Sequence, residues 1–308
     1  MRVRITDVGE LRFDDGGPVR AASAVAPLAD GWLVAQDDAT CAAWRRPSSV
    51  RPVRVLPPVD GLDEFSEAAG TKHLKPDFEA ACGLRIDGAP AVLLLGSGST
   101  PARMRASVVR LTRTGPAFAV VALAPLYEGV AATLGIPLAD LNLEGACRLG
   151  DRLRWFNRGN LSAGVPSASV DLDLTTLTAA LTGTVEPAAV RPEHPLRYEL
   201  GEVAGIGLAV TDAVALPDGR VLLSAAAEDT PNAVDDGPVV GTALALVDRD
   251  DLLAVTPLSG ADGRVHKVEG LGLLGTDPAG VDLLAVVDAD DPALPSVELT
   301  LRVDWAAS

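Results

Sequence analysis

Short runs of Val, Leu and Ala alternate along the chain with Asp-Gly, Pro and Gly punctuation. Almost none keeps the i, i+3, i+4, i+7 spacing of an amphipathic helix, and only residues 127–134 suggest a short helical turn. This is the pattern of an all-β protein. The runs fall into five similar units, at residues 22–38, 78–98, 143–160, 211–229 and 268–288, each a strand, a tight turn and a second strand ending in polar residues.

Aligning the units places Ser23, Glu79, Glu144, Asp212 and Glu269 at matching positions near the start of the first strand, between 56 and 68 residues apart. The step from Glu269 past the chain ends to Ser23 is of the same size. Five near-equal steps that close on the chain length predict a five-bladed β-propeller with four antiparallel strands per blade. Residues 107–113 and 117–124 supply the outer strands of the second blade, and 242–248 and 252–258 those of the fourth. The last unit offers only 297–303, so the alternating N-terminal stretch 3–11 is expected to complete it and close the ring, removing two exposed sheet edges. Blades cannot bury their faces alone, so residues 1–308 are expected to form one domain.

Composition adds to this picture at three points. Hydrophobic residues make up 48% of the chain but aromatics only 4%, so the core must come from many small contacts, with Trp32 and Trp155 expected between blades. The net charge of −16 disfavours nucleic acid and anionic membrane surfaces as partners. No apolar segment follows the N-terminal arginines and no run is long enough to span a bilayer, so a cytoplasmic, monomeric protein is expected. Cys41, Cys82 and Cys147 lack CxxC or Cys/His spacing, which favours free buried thiols over a disulfide or a zinc site.

Strand reversal sorts the loops. Those entering each first strand and those following each second strand emerge on one face of the ring; plain Asp-Gly turns occupy the other. The second-strand ends at 36–38, 97–99, 157–160, 228–229 and 288–290 open onto the first face. All three lysines of the chain, Lys72, Lys75 and Lys267, lie within seven residues before a marker glutamate, and His73 and His266 accompany them. With Asn157, Arg158 and Asn160 these residues are expected to form one pocket at the channel mouth.

Glu79, Glu144, Asp212 and Glu269 would bring several negative charges into a narrow channel, where unpaired like charges are costly. Hard oxygen ligands converging from separate strands suit Ca²⁺, with Ser23 and water completing the shell. Alternatively, the carboxylates accept backbone N–H groups or pair with Lys75 and Lys267.

The motifs Asn142-Leu143-Glu144-Gly145 and Lys267-Val268-Glu269-Gly270, with Asp77-Phe78-Glu79-Ala80 as a looser copy, resemble the repeats of esterase-like phytase and related bacterial propellers. The blade count, with one Ser, Asp or Glu per blade facing the channel, resembles the five-bladed calcium-activated apyrases. These resemblances imply a Ca²⁺-dependent hydrolase acting on a phosphate ester or similar small anion. In that reading Glu144 or Asp212 activates water, Lys75, Lys267, His73 and His266 assist catalysis, and Lys72, Asn157, Arg158 and Asn160 bind substrate. The alternative is a non-catalytic propeller that binds a ligand or a protein partner on the same face, with a structural metal.

Overall fold

In a sheet sandwiched between two neighbours both faces are covered, so the inner strands of such a stack read as continuous apolar runs rather than as alternating ones. That is the arrangement in the computed structural model, which describes residues 1–229, 237–260, 263–289, 291 and 294–305. After β1 (Arg2–Glu10), the first blade comprises β2 (Ala22–Leu28), β3 (Gly31–Gln36), β4 (Cys41–Arg46) and β5 (Ser49–Arg54). The second comprises β6 (Phe78–Ile86), β7 (Ala89–Gly96), β8 (Arg105–Thr112) and β9 (Gly115–Ala122), followed by helix α1 (Ala124–Leu134). The third has β10 (Leu143–Leu149), β11 (Arg152–Asn157), β12 (Ser167–Asp173) and, after helix α2 (Leu174–Leu181), β13 (Glu193–Tyr198). The fourth adds a short fifth strand, β14 (Glu202–Val203), beside β15 (Ile206–Ala215), β16 (Val221–Glu228), β17 (Val239–Asp248) and β18 (Asp251–Leu258). The fifth contains β19 (Val268–Asp277), β20 (Gly280–Val287) and β21 (Val297–Asp304).

The chain is an all-β, five-bladed propeller, and β1 completes the fifth blade. It pairs antiparallel with β21 from Arg2 opposite Asp304 to Glu10 opposite Val297. Five apolar clusters fill the spaces between successive blades. Trp155 sits fully buried between the second and third blades, edge-on to Tyr127 at 4.9 Å. Trp32 packs between the first and fifth blades, where a side chain at Gly272 would collide with its ring. Helix α1 extends the expected turn and ends at Gly135 in the left-handed conformation. Helix α2 was not expected: its Thr-rich sequence carries one apolar stripe, Leu177, Ala180 and Leu181, and Asp173 caps it by accepting the Thr176 N–H. The three cysteines are free thiols. Among the described residues, no helix is long and apolar enough to cross a membrane.

Candidate functional site

The five innermost strands, β2, β6, β10, β15 and β19, face one another round the ring. Each carries a register shift near its start, a β-bulge that turns one side chain away from the regular ladder. The shift spans Ser23, Glu79, Glu144–Gly145, Thr211 and Glu269 in the five blades. Hydroxyl chemistry confirms the equivalence of Ser23 and Thr211. Ser23 Oγ donates to the carbonyl of Phe78 (2.6 Å) and Thr211 Oγ1 to that of Val268 (2.5 Å), in each case the residue before the next blade's glutamate.

Asp212 therefore lies one residue beyond the position expected of it. Its side chain turns into the wall between inner strands, where Oδ2 accepts the Leu271 N–H at 2.6 Å. Burial pushes its carboxyl well above the usual range, against the backbone N–H groups that favour the anion. Gly145, at φ +75°, makes room for it: a Cβ there would sit 2.7 Å from Asp212 Cα. Asp212 does not line the channel-mouth cavity, so it does not join the carboxylates there.

That cavity has a volume of about 350 Å³ and opens on the face expected from strand reversal. Ser23, Lys72, His73, Lys75, Glu79, Glu144, Arg158, Lys267 and Glu269 all line it. Asn157, Asn160 and His266 do not. Asn157 is buried behind the wall, where its Oδ1 accepts the Asn142 N–H at 3.0 Å. Asn160 caps the turn Leu161–Ala163 and faces a neighbouring cavity.

In the first three blades the residue two before the bulge is tied by a backbone bond to one just after the second strand. Asp37 N–H donates to Ala21 O, Ser97 N–H to Asp77 O, and Arg158 N–H to Asn142 O. The cavity also takes in residues that the alignment of glutamates did not single out as site residues, among them Asp37, Asp77, Ser99, Arg103 and Asn142. For Asp77 and Asn142 the signal was the same repeat, read two positions earlier.

Two charge networks result. On the side of the first and second blades, Lys75 pairs with Asp37 and, at 2.7 Å, with Asp77, and Arg103 reaches Asp77 at 2.9 Å. Burial opposes the charge on Lys75, but Asp37, Asp77 and Glu79 outweigh it and hold the ammonium well above its ordinary range. Glu79 beside them is pushed strongly upward by burial and by the charges of Asp77 and Asp37. On the other side, Arg158 bridges Glu144 (3.3 Å) and Glu228, and Lys267 bridges Glu228 (3.3 Å) and Glu269 (2.9 Å). Lys75 and Lys267 thus stand in ion pairs at the mouth of the channel.

Glu144 is held asymmetrically. Its Oε1 accepts from Asn142 Nδ2 at 2.8 Å and from Arg158, while the buried Oε2 has no partner among the described residues. Burial raises its carboxyl to about 7 despite Arg158. Seven carboxyl groups and five lysines and arginines line the cavity.

The chain belongs to the family of unknown function DUF6910. The family pattern matches residues 71–292, a span that includes Lys75, Glu79, Glu144, Arg158, Lys267 and Glu269 and excludes Ser23 and Asp37. No curated protein sequence matches the chain. Among solved structures, a mannose phosphorylase from Leishmania mexicana in complex with phosphate ion is similar at 13% identity and a TM-score of 0.49, over 98% of this chain and 89% of that one. A protein of unknown function from Dyadobacter fermentans is similar at 13% identity and a TM-score of 0.46, over 98% and 99% of the two chains. The PQQ-bound aldose sugar dehydrogenase from Streptomyces coelicolor is similar at 10% identity and a TM-score of 0.45, over 98% of each chain.

Proposed function

We propose that the channel-mouth cavity hydrolyses a phosphate ester or a similar small anionic substrate with the help of a divalent cation, most simply Ca²⁺. The observation that carries this reading is Glu144, which lines the cavity with one carboxylate oxygen fixed, the other buried and without a partner among the described residues, and a pKa of about 7. Those are the properties of a general base that accepts a proton from water. Arg158 and Lys72 reach the cavity from opposite sides and would bind the substrate's anionic oxygens.

An anion entering a cavity lined by more carboxyl groups than lysines and arginines is helped by a cation beside it. The donors present are carboxylate oxygens, which suit a hard ion, and Glu79 is the member of the sequence-derived ligand set with the least local compensation. A bound divalent cation would supply charge neutralisation and polarisation of the scissile group. The resemblance to esterase-like phytase and calcium-activated apyrase supports the same reading.

A non-catalytic propeller draws support from a different observation, the sharing of Lys75 and of Lys267 between two carboxylates each. A panel of phosphate mono- and diesters, nucleotides and carboxylic esters, assayed with Ca²⁺ and with EDTA, separates the two. The hydrolase reading expects turnover that EDTA and Glu144→Gln each abolish; binding without turnover would leave the non-catalytic reading.

A further inference from the structure

The sequence points to an ion on the propeller axis, shared by carboxylates from four blades. The side chains around that axis are committed elsewhere. Ser23 donates to Phe78 O, Asp212 accepts Leu271 N–H within the wall, and Glu269 pairs with Lys267. Off the axis, at the junction of the first and second blades, one carboxylate oxygen each of Asp37, Asp77 and Glu79 lies within 4.8 Å of the others.

We propose that Asp37, Asp77 and Glu79 form the seat of a divalent cation, with Lys75 as a resident competitor for it. Asp37 directly follows the second strand of the first blade, Asp77 directly precedes the first strand of the second blade and Glu79 lies in it, and the Asp77 N–H to Asp37 O bond of 2.9 Å fixes the two segments together. The donor set is oxygen only, which selects Ca²⁺ or a similar hard ion over zinc. Lys75 already places a cation between Asp37 and Asp77, and Arg103 covers the remaining side of Asp77. Both of those cations pair with the aspartates, not with Glu79.

An independent observation comes from across the cavity. Glu144 is 5% exposed, and its Oε2 has no partner among the described residues. A buried carboxylate oxygen left without a partner costs a few kcal/mol, and such orphans point to a missing ligand. Glu144 stands on the wall of the same cavity and acts electrostatically on Glu79, so an ion at the seat with its water shell would supply what Oε2 lacks.

The inference rests on the metal-assisted reading only in needing a cation, and its test reads binding rather than turnover. Full-length protein stripped with EDTA and dialysed is titrated with Ca²⁺ by calorimetry, alongside Asp37→Asn, Glu79→Gln, Glu269→Gln and Lys75→Met, with circular dichroism to confirm folding. The expected result is one Ca²⁺ per chain. Asp37→Asn and Glu79→Gln should each weaken it by about tenfold or more. Glu269→Gln should leave it within about threefold, and Lys75→Met should tighten it, because the competing ammonium is gone. Undiminished binding in both Asp37→Asn and Glu79→Gln, equal loss in Glu269→Gln, or no binding by the wild type at millimolar Ca²⁺ overturns the seat. Ca²⁺ binding with the expected pattern but no hydrolysis upholds the seat and removes the hydrolase reading; hydrolysis that survives EDTA removes the metal from the reaction and leaves the seat to the calorimetry.

Discussion

Glu144→Gln should stabilise the fold at alkaline pH while abolishing activity, and the size of the gain follows from the side chain's surroundings. A carboxyl that titrates near 4.5 in the open chain titrates at about 7 in the native state, chiefly because burial penalises the anion. The native state then holds its proton more tightly than the unfolded state. The stabilisation this gives is full below about pH 4.5 and is lost as pH rises to about 7. At about 1.4 kcal/mol per pH unit, the wild type gives up ~3 kcal/mol across that interval. Gln is isosteric with the protonated acid: its Oε1 can still accept from Asn142 and Arg158, and it has no proton to lose. In urea melts with EDTA present, the variant and the wild type should differ by less than ~1 kcal/mol at pH 5, and the variant should be ~3 kcal/mol more stable at pH 8. A difference that does not change with pH, or a variant equally destabilised at both, would refute the account of Glu144 as a strained, functional carboxylate.

Three further outcomes are expected. Arg158→Met leaves Glu144 and Glu228 buried without their shared cation and should cost ~3–5 kcal/mol in chemical denaturation; a loss under ~1 kcal/mol would mean that water reaches both carboxylates. Asp212→Ala strips the acceptor from the Leu271 N–H and should lower stability by ~1–3 kcal/mol while leaving Ca²⁺ affinity unchanged, so a loss of Ca²⁺ binding in folded protein would return Asp212 to the ligand set. Deleting residues 1–12 removes β1, bares the edge of β21 and should give aggregating protein; a monomeric truncation with an unchanged melting temperature would show that closure by β1 is dispensable.

Much of the ring was legible because its signals are local. Turns containing Asp and Gly and paired apolar runs mark each inner hairpin, and the spacing of the hairpins counts the blades. The alternation in the N-terminal stretch likewise matches its role in the ladder with β21. What escaped depends on register. Thr211 and Asp212 are adjacent, and matching by charge selects the aspartate. The bulge, visible only in the strand pairing, selects the hydroxyl, as at Ser23. Helix α2 escaped because its Thr-rich eight residues carry little more than one turn of apolar spacing. The scarcity of lysine led correctly to the cavity, since Lys72, Lys75 and Lys267 all line it. The alternative of pairing with lysine holds at Lys267 and Glu269; what escaped was that Lys75 pairs with Asp37 and Asp77, because these come from segments 40 residues apart that only the fold joins.

The central claim is that the cavity around Glu144 is a metal-assisted hydrolytic site. Its most direct test is the rate of phosphate release from a panel of phosphate esters by EDTA-stripped protein, measured before and after Ca²⁺ is restored, with Glu144→Gln alongside. The account predicts release from at least one ester that appears only with Ca²⁺ and falls by about a hundredfold or more in the variant, the scale of a lost general base. Equal release with and without Ca²⁺, or undiminished release by folded Glu144→Gln, would contradict it.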